Sequence, residues 1–116
     1  MMARWLRRGV VVLALGAAGC AAQKGTIGAV IGQSREGKLT VREVPKGLGA
    51  DRAGVKEGDE ILLIDGMDVR TLSDSRVQQL LSGEVGTPVK LTLVRGGQVL
   101  RVTVHRTRAQ RFRLER

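Results

Sequence analysis

At 116 residues the chain has room for one domain with a modest core, and with Trp5 and Phe112 as its only aromatic residues that core has to be aliphatic. A net charge of +9 suggests a nucleic-acid binder until it is apportioned: Arg4, Arg7 and Arg8 carry part of it, six arginines from Arg101 onward carry most of the rest, and the middle is close to neutral. A single cysteine excludes an internal disulfide, and a single histidine without a carboxylate or thiol cluster excludes a zinc-type metal site.

Residues 1–20 have the layout of a secretory signal. Arg4, Arg7 and Arg8 make a basic start, Gly9-Val10-Val11-Val12-Leu13-Ala14-Leu15 an apolar run, and Gly16-Ala17-Ala18-Gly19 a small-residue end. The run is too short to span a bilayer, which takes about 20 apolar residues. Cys20, directly after Ala17-Ala18-Gly19, resembles the lipobox of bacterial lipoproteins. Small residues there let a peptidase bring backbone up to the cysteine that takes the lipid. Ala17 departs from the leucine usual at the first position, and the alternative is ordinary cleavage nearby, with Cys20 lost or left as a free thiol. The expectation is a lipid-anchored protein of the bacterial cell envelope, facing periplasm or exterior, with residues 21–24 as a short tether.

Gly25-Thr26-Ile27-Gly28-Ala29-Val30-Ile31 comes next. Successive N–H groups of Ile27, Gly28 and Ala29 can converge on one anion as a backbone nest, with Gly28 supplying the unusual geometry. Residues 29–33 then read as a strand with an exposed edge, to which an extended peptide can add. Arg35-Glu36-Gly37-Lys38 is a charged hairpin turn, residues 39–44 alternate as a half-buried strand, and residues 50–53 make one helical turn after the loop Pro45-Lys46-Gly47-Leu48-Gly49. Gly54 and Gly58 punctuate a turn. Ile61-Leu62-Leu63-Ile64 is an apolar run too brief for a helix, which reads as a strand buried on both faces. Asp65-Gly66 is a hairpin dipeptide, after which Met67-Asp68-Val69 resumes as a strand.

The stretch Ala-Gly-x-x-x-Gly-Asp-x-Ile-Leu-x-Ile-Asp-Gly, starting at Ala53, resembles the central segment of the PDZ domains of carboxy-terminal processing and high-temperature-requirement proteases of bacteria. The resemblance implies an α+β fold: a PDZ-like, partly open small β-barrel or sandwich of about five strands, capped by one main and one short helix, over residues 25–105. It also makes residues 25–31 the carboxylate-binding loop and implies a peptide groove formed by Thr26, Ile27, Gly28, Ala29, Val30 and Ile31.

Residues 71–82 carry the main helix. Ser73 is its N-cap, Asp74 lies in the first turn, Val77, Leu80 and Leu81 share one face, and Gly83 is expected to end it. By the resemblance this helix is the other groove wall, with Asp74 opening it, Gln78 one turn on, and Leu81 closing an all-aliphatic pocket with Ile27, Ala29 and Ile31 beneath the peptide's last side chain. From the residues alone, Leu81 reads equally as core, and Asp74 as a solvated residue facing the helix dipole. Residues 89–95 and 99–105 alternate as a final hairpin turned by Gly96-Gly97, with Leu100, Val102 and Val104 inward. Residues 106–116 are a basic tail, either a solvated extension or a segment touching anionic lipid headgroups.

No catalytic set can be assembled from these residues. His105 falls on the outward phase of its strand and Cys20 belongs to the export signal. The reading is not an enzyme and needs no cofactor. It is a membrane-anchored module binding protein C-termini or extended peptides, which leaves room for an envelope protease as a partner. The alternative is a structural or assembly lipoprotein whose groove takes no free C-terminus. Export and the lack of stacking aromatics argue against nucleic acid.

Overall fold

A computed structural model describes residues 23–109. The expectations for the export signal, for Cys20 and for residues 110–116 lie outside the described residues. In chain order the elements are β1 (Lys24–Thr26), β2 (Val30–Gln33), β3 (Leu39–Glu43), the short helix α1 (Gly49–Ala53), β4 (Glu60–Ile64), β5 (Met67–Asp68), a 3-10 turn (Val69–Thr71), the main helix α2 (Asp74–Leu81), β6 (Gly83–Glu84), β7 (Pro88–Arg95), β8 (Gln98–His105) and β9 (Thr107–Arg108). One antiparallel sheet runs β2-β3-β4-β7-β8 with β5 beside β4, and a smaller one runs β6-β1-β9; both stay open rather than closing into a barrel.

The core is aliphatic. Ile27, Val41, Val55, Ile61, Ile64, Val89, Leu91, Leu93 and Val104 are all sealed from solvent. The long hairpin of β7 and β8 supplies one wall by strict alternation: Val89, Leu91 and Leu93 point inward, while Lys90 is exposed. On β8 only Val104 is fully inward; Leu100 and Val102, expected inside, are half-buried because the hairpin outruns the core.

The central strand β4 differs from the expectation of two buried faces. Ile61 and Ile64 are inward, but Leu62 and Leu63 between them are half-exposed. Opposite β7, Ile61 pairs with Leu93 and Leu63 with Thr92, so one step on β7 faces two on β4. That is a β-bulge, which re-phases the strand so that residues three apart, rather than two, share the core face. The turn after it runs as read. Asp65 and Gly66 have φ of 48° and 82°, the left-handed pair that a two-residue hairpin requires. Asp65 also accepts from the Lys90 N–H through its carboxylate at 2.9 Å, which fixes the turn to β7. Val69 leaves the strand and begins the 3-10 turn, capped by the Asp68 carboxylate accepting from the Arg70 N–H.

Two expected boundaries shift. Gly83 does not end α2 as a left-handed cap; Ser82 is the C-cap in an extended conformation, and Gly83 starts β6. An added Cβ at Gly83 would sit 2.9 Å from the Arg106 Nε, so glycine there makes room for a guanidinium. The fold also runs past both ends assigned to it. Lys24, placed in the tether, opens β1, and Thr107 and Arg108, placed in the tail, pair with Thr26 and Gly25.

The Gly-Asp of the central stretch has a structural job invisible from spacing alone. Asp59 is 1% exposed and holds Arg95 in a two-pronged ion pair at 2.8 and 2.7 Å, while accepting from the Lys56 N–H at 2.8 Å. Its backbone carbonyl takes the Val41 N–H, which pins the turn to β3. The Arg95 guanidinium, and then the Lys56 N–H, hold this carboxyl below the usual carboxylate range against the opposing effect of burial. A pKa lower in the folded than in the unfolded state stabilises at neutral pH, and that contribution is lost as pH falls from about 4 toward the folded value. Urea midpoints measured from pH 7 downward should therefore drop more steeply below about pH 4 for the wild type than for Asp59→Asn. Parallel acid limbs would remove Asp59 as their cause.

Candidate peptide-binding groove

The outer edge of β2 faces α2 across a groove. β2 is the terminal strand of the main sheet and pairs only with β3, so its other edge carries backbone groups with no strand beside them. Ser73 caps α2 by accepting the Arg76 N–H, and Val77 and Leu81 turn its apolar face inward. Between the two elements lies a cavity of about 220 Å³, lined by Ile31, Gln33, Leu39, Asp74, Val77 and Gln78. Leu39 and Val77 are nearly buried, whereas Gln33, Asp74 and Gln78 are exposed. The groove thus has an apolar floor and a polar rim.

At one end of β2 stands the loop around Gly28. Its φ is 76°, and an added Cβ would lie 2.5 Å from the Leu48 Cβ, so only glycine fits on both counts. The Ile27 carbonyl accepts from the Ala50 N–H at 2.6 Å, which ties the loop to the start of α1. Among the described residues, the N–H groups of Ile27, Gly28 and Ala29 make no hydrogen bond outside the strand ladders. These groups lie just before β2, next to its open edge.

The nine residues assigned to the groove from sequence separate into three groups. Ile31, Asp74 and Gln78 meet at the cavity. Gly28, Ala29 and Val30 form the loop and the start of β2 beside it, with Ala29 packed against the core. Thr26 sits one step back, paired with Thr107, while Ile27 and Leu81 are 1% and 3% exposed and belong to the core. The all-aliphatic pocket of Ile27, Ala29, Ile31 and Leu81 is therefore not what the cavity presents, because Ile27 and Leu81 are spent on the interior. Gln33, Leu39 and Val77 were missed. The phase of Gln33 two residues after Ile31, and the alternation of β3, were the signals that could have found them. His105 is exposed, as its strand phase implied.

A family model described as PDZ domain matches residues 20–94. The chain belongs to the PDZ family. Among curated proteins this PDZ chain is 34% identical over 71 residues to the carboxy-terminal processing protease CtpA of Bacillus subtilis, covering 61% of the chain and 15% of that protease. It is 41% identical over 64 residues to the periplasmic pH-dependent serine endoprotease DegQ of Escherichia coli, covering 55% and 14%. Among solved structures it matches the PDZ domain of a carboxy-terminal protease from Vibrio cholerae, in complex with peptide, at a TM-score of 0.61 and 27% identity, covering 75% of this chain and 96% of that one. The chain thus spans under a sixth of either protease, and what it shares with them is a PDZ domain, which is by itself a binding domain.

Proposed function

We propose that this PDZ domain captures the free C-terminus of partner proteins, the peptide adding as a strand to the open edge of β2 with its carboxylate on the Gly28 loop. The observation that carries the reading is an unpaired strand edge facing α2 across a 220 Å³ groove, with a loop at its end whose N–H groups make no hydrogen bond outside the strand ladders. Ladder hydrogen bonds supply affinity, and alternate side chains entering the groove supply selectivity. The apolar floor of Ile31, Leu39 and Val77 suits an aliphatic or aromatic side chain at or near the peptide's end, and Asp74 and Gln78 are positioned to meet it from α2. The chain acts as a binding module rather than as an enzyme.

The test is a titration of labelled peptides ending in Leu, as free acid and as C-terminal amide, into the full chain in detergent. Charge-assisted bonds from backbone N–H groups are worth about 1.5–3 kcal/mol, so amidation should weaken binding by roughly tenfold to a hundredfold. Equal affinities would sink carboxylate capture and leave the structural or assembly role.

The same proposal holds the module at an envelope membrane through a lipid on Cys20, by the signal-like residues 1–20. A lipoprotein's several acyl chains anchor firmly, where one chain binds only marginally. Cys20→Ala should move the protein from the membrane pellet to the soluble fraction. A variant that stays in the pellet would refute the anchor without touching the groove.

A further inference from the structure

The strand that lines the groove contains a glycine on the face turned away from the groove. Ile31 and Gln33 point into the groove, so Gly32 between them faces the opposite side of the sheet. Gly32 pairs with Thr40 on β3, and two residues further along that strand Arg42 shares the outward phase of Thr40, while Leu39 and Val41 are buried. The register slips at the start of β2, where Val30 faces Glu43 but Ile31 faces Val41, so Arg42 is the extra residue of a bulge and has no partner residue on β2. Its side chain lies across β2. A Cβ built on Gly32 would run into the Arg42 Nε, Cζ and Cδ. The guanidinium thus occupies the space that the side chain of residue 32 would fill. Arg42 is exposed, and among the described residues it forms no ion pair, neither with Glu43 beside it nor with Glu60 opposite Thr40.

We propose that Arg42, draped over Gly32, is a specificity-determining residue that selects an acidic side chain in the bound peptide, at the fourth residue counted from its C-terminus. This rests on the strand-addition reading above. With the carboxylate on the loop and the last residue beside Ala29, an antiparallel peptide sets its third residue from the end beside Ile31 and its fourth beside Gly32. Side chains of a strand alternate, so the last and third residues enter the groove while the second and fourth project to the face that Arg42 covers. A directly opposite cross-strand pair has its Cβ atoms about 4.5–5.5 Å apart, within reach of a guanidinium and a carboxylate. Gly32 is what lets a β3 side chain act as the neighbour of a strand two places away. A larger residue there would push Arg42 off.

The experiment uses the full chain in detergent and free-acid peptides that differ only in carrying Ala, Glu or Lys at the fourth residue from the end, with a set varied at the groove-facing third residue as control. Glu should bind about two- to fivefold tighter than Ala, with Lys weaker than both and the difference shrinking as salt rises. Arg42→Gln should remove the preference of Glu over Ala and Lys, and Arg42→Glu should reverse it in favour of Lys. Peptides that bind with a free-acid requirement but with no preference at the fourth residue, or with one that persists in Arg42→Gln, overturn this inference and leave C-terminal capture intact. Peptides that show no preference for acid over amide overturn both.

Discussion

Replacing Arg106 by alanine is expected to destabilise the fold by about 3–4 kcal/mol, although by sequence this residue opens a basic tail. It is only 9% exposed. Its Nε donates to the Leu81 carbonyl at 3.2 Å and its Nη2 to the Leu80 carbonyl at 2.7 Å, while Nη1 reaches the Thr87 hydroxyl at 2.9 Å and the Pro88 carbonyl at 3.2 Å. Leu80 and Leu81 end α2, so the guanidinium satisfies terminal carbonyls that a helix cannot pair internally and places a cation at the negative end of its dipole. Alanine would leave the buried Leu81 carbonyl without this donor, at about 1–3 kcal/mol when not relieved by water, and three part-buried acceptors at less each. Lysine should recover less than half of the loss, because one ammonium cannot span four acceptors held in a fork. Urea denaturation of Arg106→Ala, Arg106→Lys and the exposed control Arg101→Ala measures this. An Arg106→Ala midpoint as close to wild type as that of Arg101→Ala would show that the contacts carry no stability. Because α2 is one wall of the groove, peptide affinity should fall with stability in the alanine variant.

Ile61→Ala should cost about 2–5 kcal/mol, the range for deleting a buried aliphatic side chain from a core that only partly collapses. Ile61 and Ile64 are both 0% exposed at the centre of the main sheet, and among the described residues there is no aromatic side chain to swing in and fill the void. For a domain of this size that is a large share of the total stability. The bulge gives the measurement an internal reference. Leu62, adjacent in sequence and similar in size, is half-exposed, so Leu62→Ala should lose less than half as much. Comparable losses at both positions would mean that β4 is buried on both faces, as its uninterrupted apolar run suggests, and that the bulge is wrongly placed.

These two residues also mark how far the sequence could be read. The apolar run of β4, the Asp65-Gly66 turn, the Ser73 cap and the alternation of β7 are local patterns, and each is a consequence of a residue and its near neighbours. They emerge where expected because local propensity and global packing agree there. The same holds for Gly28, whose position in a short glycine-bearing loop before a strand implied unusual backbone geometry, which is the φ of 76° that it adopts. The phase of β4 after Ile61 was not legible, since a bulge depends on what β7 offers opposite it and Leu62, Leu63 and Ile64 are interchangeable in hydropathy. Nor was the composition of the groove: Ile27, Ala29, Ile31 and Leu81 are alike as letters, and only packing decides that Ile27 and Leu81 face the interior while Gln33 and Leu39 line the cavity.

What the sequence determined by itself was therefore the succession of the longer strands and helices, an aliphatic core and a glycine loop before β2, which follow from spacing along the chain, while the PDZ fold came from the resemblance of the Ala53 stretch to that family. What the tertiary structure decided was the use of charge. Asp59 and Arg95 are 36 residues apart, Arg106 and Leu81 are 25 apart, and Arg42 meets Gly32 across a bulged pair of strands. Basic residues that look alike in sequence thus become a clamp on the buried Asp59, a helix cap and an arm laid over the edge strand β2. A charged side chain takes its role from the partners that folding brings within about 3 Å of it, and no pattern of near neighbours encodes those partners.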